Sequence, residues 1–253
     1  MYVWKYWRES RYTFAAGMAL VGLLLWAVLK IPMGAMVEGN QDMGQSNPAE
    51  LYLVVAGILT LPLAFLGLLF GSFGVGRDLG AGSGSFLFSR PRSRAFFVWS
   101  DWGYGVAQLL LLVVAANSVL ALAIHRAVPG SRSILLAGGP VSMLSVFCVH
   151  CAAGLVLIGL MFGLTYFASV LVKGRGVLLS LGVLLAYIIS KSVVKHYWPD
   201  ITLPDLTLTE FTPTPFGGAR FADHLGLDIA VRAAVALAFP IGAQLLLRQR
   251  DVD

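Results

Sequence analysis

Long apolar stretches separated by short polar connections dominate this chain. Six stretches are long and apolar enough to form membrane-spanning helices, at about 12–30, 51–71, 102–124, 141–172, 177–197 and 228–247. About 20 predominantly apolar residues in a helix cross the hydrocarbon core of a bilayer, which is about 30 Å thick. The pattern therefore predicts an all-α membrane protein with six transmembrane helices, folded as a single transmembrane domain over residues 1–253.

The overall composition agrees with the pattern. Hydrophobic residues make up 58% of the 253 residues and charged residues 12%, and the mean hydropathy is +0.80. Such values are typical of integral membrane proteins. The six stretches occupy more than half of the chain, so no separate soluble catalytic domain is expected. The first apolar run exceeds the roughly 7–15 residues of a signal-peptide core, so we expect it to be retained.

The distribution of basic residues predicts the orientation. Eleven of the eighteen Lys and Arg residues fall in the N-terminal segment, in the second and fourth connections, and at the C-terminus, and seven fall at the opposite ends of the spans. Because cytoplasmic loops are enriched in Lys and Arg, both termini are predicted to be cytoplasmic. The same rule explains the net charge of +5 without a nucleic-acid partner. The aromatic and basic N-terminus, MYVWKYWRESRY, predicts an amphipathic helix at the inner membrane interface.

The connection between the second and third spans, about residues 72–100, carries the most specific pattern. Arg90, Arg92 and Arg94 fall within five positions. Placing them in mid-bilayer would cost roughly 2.5–3.5 kcal/mol each, so the connection is cytosolic or interfacial. It contains the motifs RDLGAGS and FLFSRPRSR, which combine charge, glycine and a short apolar run.

These motifs resemble the permeases of ABC exporters of the ABC-2 type. In those proteins an acidic residue is followed four residues later by a Gly-Thr or Gly-Ser pair, and then by an LL-S-x-P-x-S-R run. The matching residues are Asp78, Gly82, Ser83, Ser89, Pro91, Ser93 and Arg94. The resemblance covers the six-span layout of the whole chain and, as a motif, residues 78–94.

The resemblance implies that this connection includes a short cytoplasmic coupling helix, which docks into a cleft of a separate ATPase subunit. The predicted ATPase-coupling residues are Arg77, Asp78, Gly82, Ser83, Phe86, Leu87, Phe88, Ser89, Arg90, Pro91 and Arg94. The apolar members would fill the cleft, and the charged members would pair with a polar ATPase surface. Ser89 is a candidate helix cap, and Pro91 suits the first turn of the next helix. The alternative is a basic cytoplasmic loop without a partner.

The function implied by the resemblance is that of a membrane-spanning permease subunit of an ATP-driven exporter, working by alternating access in a prokaryotic plasma membrane. Two ATPase subunits and a second permease copy or paralogue would complete the complex within the lipid bilayer. ATP and Mg would bind to the ATPase chains, and no cofactor is expected here, because GVGRDLGAGSG lacks the Lys-Ser/Thr of a Walker motif. The sequence pattern does not identify the transported substrate.

Two other classes of function compete with transport. One is a non-transporting scaffold or assembly subunit, which would have the same topology. The other is an intramembrane enzyme, but the nucleophile motif G-x-S-x-G and the metalloprotease motif H-E-x-x-H are absent from the sequence. We therefore predict no catalytic residue and no metal site.

A few polar and small residues interrupt the apolar spans. Gln108, Asn117, Ser118 and Gln244 are candidates for a substrate path, although interhelical hydrogen bonds are the favoured interpretation. The CVHC motif lacks the histidine that follows a c-type haem motif. Its cysteines are therefore predicted to pack as small buried residues. Two GxxxG pairs predict close helix contacts, at positions 67 and 71 and at 159 and 163.

Overall fold

A computed structural model describes residues 2–30, 62–82, 93–127, 133–136, 139–198, 211–213, 219–221 and 224–249. Its helices are α1 (Tyr2–Lys30), α2 (Val75–Gly80), α3 (Arg94–Ala127), α4 (Met143–Leu171), α5 (Gly176–Tyr197) and α6 (Leu225–Gln249). Residues 62–70 are also helical. Two short antiparallel hairpins pair β1 (Ser133–Leu136) with β2 (Gly139–Ser142) and β3 (Phe211–Pro213) with β4 (Ala219–Phe221). The described part of the fold is thus helical, with two small hairpins.

Four helices in the described part of the chain are long and apolar enough to cross a membrane, namely Arg94–Leu122, Leu144–Leu171, Gly176–Tyr197 and Leu225–Gln249. They coincide with the predicted third to sixth spans and indicate a multi-pass membrane protein. The predicted first span lies within α1, and residues 51–61 of the predicted second span lie outside the described residues. Six spans and cytoplasmic termini stay predictions.

Two helix starts differ from the sequence-based expectation. The predicted interfacial helix at the N-terminus is not separate from the first apolar stretch, because α1 runs without a break from Tyr2 to Lys30. The helix α3 begins at Arg94, before the predicted span start at 102 but after Pro91, which the sequence pattern placed in its first turn with Ser89 as the cap. The Ser93 hydroxyl is the cap instead, because it accepts a hydrogen bond from the N–H of Phe96 at 3.2 Å. The apolar run predicts which residues cross the membrane, whereas the capping hydrogen bond determines where the helix begins.

The helices run alternately in opposite directions, as residue pairs in contact across each interface show. These pairs are Ser10–Gln108 and Gly17–Leu112 for α1 and α3, Gly105–Phe162 and Val113–Gly154 for α3 and α4, and Gly163–Phe239 and Phe167–Gly242 for α4 and α6. Along the α1–α3 and α4–α6 interfaces, the residue numbers of both contact partners increase in the same direction, so the helices of each pair are parallel. Along the α3–α4 interface, the residue numbers increase on one helix and decrease on the other, so these two helices are antiparallel.

Polar connections between the helices lie at one end of the bundle, which we call the basal end. The starts of α1, α3 and α5, the ends of α4 and α6, and residues 71–82 all lie there. The central core joins α1, the helical residues 62–70, α3, α4 and α6, with Phe70, Leu112, Phe162 and Tyr166 fully buried. By contrast, α5 packs on α4 and leaves large apolar side chains exposed along most of its length.

Candidate functional site

Residues 71–82, the basal segment, form a compact unit at the basal end. The chain leaves the helical residues 62–70 through a turn at 71–74 and forms the short helix α2 before a second turn. Gly74 and Gly82 flank α2 with φ angles of +77° and +73°, a left-handed region that favours glycine. These glycines allow the chain to turn sharply into and out of α2.

A carboxylate from α3 holds the start of α2. Asp101 is buried, and its Oδ2 accepts a hydrogen bond from the N–H of Val75 at 2.8 Å. The first N–H groups of a helix lack partners within the helix, and charge-assisted bonds to them are strong. Gly74 lies so close to the same carboxylate that a Cβ there would collide with Oδ2. Asp101 therefore supplies the cap that Gly74, which has no side chain, does not provide.

The N-terminal turns of α1 hold the middle of the segment. The Lys5 ammonium donates to Oδ1 of Asp78 and lies 3.8 Å from Oε1 of Glu9. The Tyr6 hydroxyl donates to the carbonyl of Phe70 at 3.3 Å. Tyr6 precedes the apolar part of α1, and burial, followed by the carboxylates of Asp101 and Glu9, raises the pKa of its phenol well above the ordinary value. The phenol therefore stays protonated and acts as a donor.

A stripe of glycines places the segment directly against α4. A Cβ added to Gly67 would lie 2.9 Å from the carbonyl oxygen of Ile158, and one added to Gly71 would lie 2.5 Å from that of Phe162. Farther along, Gly76 lies against Ser169, which belongs to the last turns of α4. Gly80 continues this contact onto the backbone of Lys173 in the turn between α4 and α5. Because a Cβ at each of these positions would collide with α4 or with the turn after it, glycine allows the two stretches of chain to approach closely.

The two predicted GxxxG contacts have different outcomes. The pair at 67 and 71 lies against α4, as predicted. In the second pair, Gly163 lies against Phe239 of α6, whereas a Cβ on Gly159 would meet nothing within 4 Å. The second pair therefore makes a close contact at one of its two positions.

The structure describes four of the eleven predicted coupling residues. Arg77 is exposed, with its guanidinium 5.9 Å from the ring centre of Phe73, and Gly82 is exposed in the turn that follows α2. The remaining seven, Ser83, Phe86, Leu87, Phe88, Ser89, Arg90 and Pro91, lie outside the described residues.

Asp78 and Arg94 make contacts within the chain. Asp78 is buried against Lys5, and a guanidinium N–H of Arg94 donates to the carbonyl of Leu247 in α6. The expectation that Asp78 presents its charge to a partner surface is corrected accordingly, since its carboxylate is directed into the bundle. Arg77 and the turn at 81–82 form the exposed face of the basal segment.

The four candidate substrate-path residues do not converge on one passage. Gln108 donates to the Ser10 hydroxyl at 3.1 Å, between α1 and α3. Gln244 accepts a hydrogen bond from the indole N–H of Trp99 at 2.8 Å, between α6 and α3. Asn117 donates to a carbonyl of its own helix, and Ser118 is exposed. Two of the four thus make the interhelical hydrogen bonds that the sequence favoured.

The CVHC motif departs from its prediction. Cys148 is exposed and Cys151 is half-buried, whereas His150 between them is buried. The prediction that the cysteines are buried is therefore wrong for Cys148, and Cys151 is only partly buried. Within the described residues, no group of three or more His, Cys, Asp and Glu side chains is placed to hold a metal ion.

Sequence reasoning missed Lys5, Tyr6 and Asp101 as parts of this site. Lys5 and Tyr6 were assigned to a membrane interface, and Asp101 was given no role. A weak signal was available, since an acid among apolar neighbours at the end of a span requires a partner. That partner, the start of α2, lies 26 positions away along the chain.

The basal segment is thus tied to three neighbouring helices and exposes one basic face. Comparison of the chain with models of protein families, with curated proteins and with solved structures found no match. Function is therefore inferred from the geometry of the basal segment and from the sequence pattern.

Proposed function

We propose that this chain is the membrane-spanning permease subunit of an ATP-driven exporter of the ABC-2 type, in a prokaryotic plasma membrane. It would act with two ATPase subunits, which bind ATP and Mg, and with a second permease copy or paralogue. The observation that carries the proposal is the simultaneous attachment of the basal segment to α1, α3 and α4. The motif in residues 78–94 supplies the second argument.

A coupling element has to receive a displacement at the surface and pass it to the membrane helices. Arg77 and the turn at 81–82 are available at the surface, while Val75 and Asp78 are held inside. Packed protein interiors have low compressibility, so a displacement of such a segment moves its neighbours instead of being absorbed. The glycine contacts extend this rigid connection to α4 and to the turn between α4 and α5.

In this mechanism, ATP binding closes the ATPase pair, and the closure moves the basal segments of both permease chains. The helices attached to each segment then rearrange, which opens a path alternately to the two sides of the membrane. This chain contributes the coupling and part of the path, and the chemistry of ATP hydrolysis belongs to the partner chains.

The test is purification of the tagged full-length chain from its native host in mild detergent, followed by mass spectrometry and an assay of Mg-dependent ATP hydrolysis. We expect an ATPase in equal amounts with this chain. Arg77→Glu reverses an exposed charge, and it should reduce the retained ATPase by about fivefold or more, since one interfacial charge pair contributes on the order of 1 kcal/mol. Arg248→Glu, at the same end but outside the basal segment, is the matched control.

Asp78 is a poor choice for this test, because its replacement breaks the internal pair with Lys5 and changes folding together with docking. Equal retention of the ATPase by wild type and Arg77→Glu would contradict docking at the basal segment. Purification with stable partners that do not hydrolyse ATP would instead support a scaffold or assembly role.

A further inference from the structure

A cleft between α4, α5 and α6 lies apart from the basal segment. Its volume is about 430 Å³, within the range of roughly 300–1,000 Å³ that is usual for ligand sites. Leu164, Leu184 and Phe239 line its apolar part, and Tyr187, Asp228 and Arg232 line its polar part. The site thus combines a hydrophobic slot with a charged mouth.

The polar groups lie at the end of the cleft that is farther from the basal end. On α6, Asp228 and Arg232 are one turn apart, and Phe239 follows about two turns deeper. On α5, which runs in the opposite direction, Leu184 is deep and Tyr187 is nearer the mouth. Lys191 follows one turn beyond Tyr187 on the same face and is half-buried, whereas its neighbours Ser190 and Ser192 are exposed. The two helices therefore bring their polar groups to the same level.

This arrangement matches an amphiphile that carries a phosphate. The apolar walls favour a hydrocarbon chain, and a guanidinium pairs with phosphate through two parallel hydrogen bonds. Among the described residues at this level, Arg232 and Asp228 of α6 line the cleft and Lys191 of α5 lies one turn beyond Tyr187, which gives these three groups a net positive charge. Arginine has five N–H donors, so contacts within the protein still leave donors for a ligand. An acid beside these cations also suits the ammonium of an ethanolamine headgroup.

We propose that this cleft binds one phospholipid, with an acyl chain along Leu164, Leu184 and Phe239 and its phosphate at Arg232 and Lys191. The proposal requires that the chain crosses a membrane, and it does not depend on a partner ATPase.

The test is native mass spectrometry of the delipidated full-length chain, titrated with dioleoyl phosphatidylethanolamine. We expect saturable binding of one lipid. Arg232→Gln should weaken this binding about tenfold, as expected for loss of a charge-assisted hydrogen bond to phosphate. Val235→Trp fills the cleft and should abolish binding. Leu237→Trp, on an exposed position of the same helix outside the cleft, should bind as wild type.

Dioleoylglycerol, which has the same chains without phosphate, separates headgroup recognition from apolar partitioning, and it should bind at least tenfold more weakly. Equal affinity for the two lipids would overturn the phosphate assignment. Wild-type binding by Val235→Trp would overturn the site itself. Thermal melting in the same detergent checks that the variants fold. If Arg232→Gln does not fold, the comparison of Val235→Trp with Leu237→Trp tests whether the lipid binds in the cleft.

Discussion

Replacing Asp101 with alanine is expected to release the start of α2 from the bundle. The wild-type carboxylate accepts the N–H of Val75 at 2.8 Å, and both residues are buried. Alanine removes the acceptor and leaves that N–H facing the space that the carboxylate filled. The basal segment would then keep its contacts with α1 and α4 but lose its anchor on α3.

The magnitude follows from the unsatisfied donor. A buried N–H without an acceptor costs about 1–3 kcal/mol. At about 1.4 kcal/mol per factor of ten, the open population of residues 72–82 should rise by roughly 5- to 150-fold, if opening is local. Asp101→Asn retains an oxygen acceptor of the same shape and should preserve most of the protection.

Hydrogen–deuterium exchange, read by mass spectrometry on the purified chain in detergent, measures this population. Peptides covering 72–82 should exchange faster in Asp101→Ala, while peptides from the middle of α4 should not change. Unchanged exchange at 72–82 would refute the capping role. Equal acceleration in α4 would refute local opening and would make Asp101 a support of the whole bundle.

Two further predictions concern packing and topology. Gly71→Val should lower the melting temperature strongly, because its Cβ would lie 2.5 Å from the Phe162 carbonyl oxygen and overpacking costs about 1–3 kcal/mol or more. The control Gly159→Val should change the melting temperature little, because its Cβ would meet nothing within 4 Å. Equal decreases in melting temperature for the two variants would contradict the close contact at Gly71. In a chain with both native cysteines replaced by alanine, Gln45→Cys and Glu210→Cys should each react with a membrane-impermeant maleimide from outside intact cells, and labelling of either one in lysed cells alone would overturn the predicted orientation.

The hydropathy pattern is sufficient to place the apolar helices α3 to α6 along the chain. Transfer of a helix into a bilayer depends on the summed apolarity of about 20 consecutive residues, which is a local property of the chain. The sequence also identified the contact at Gly67 and Gly71, because small residues four positions apart share one helix face whatever the partner is. Arg77 and Gly82, which the sequence placed in a polar connection, are exposed in the structure.

The groups that meet at the basal end are brought together by the packing of the helices. Lys5 and Asp78 are 73 positions apart, and Val75 and Asp101 are 26 apart, so no local pattern pairs them. Their contacts depend on the direction and rotation of α1 and α3 around the core, which many packing interactions set together. The same holds for the cleft, which Tyr187 and Arg232 both line because α5 and α6 pack on α4. Hydropathy is additive along the chain, whereas pairing depends on where separate segments are placed in space.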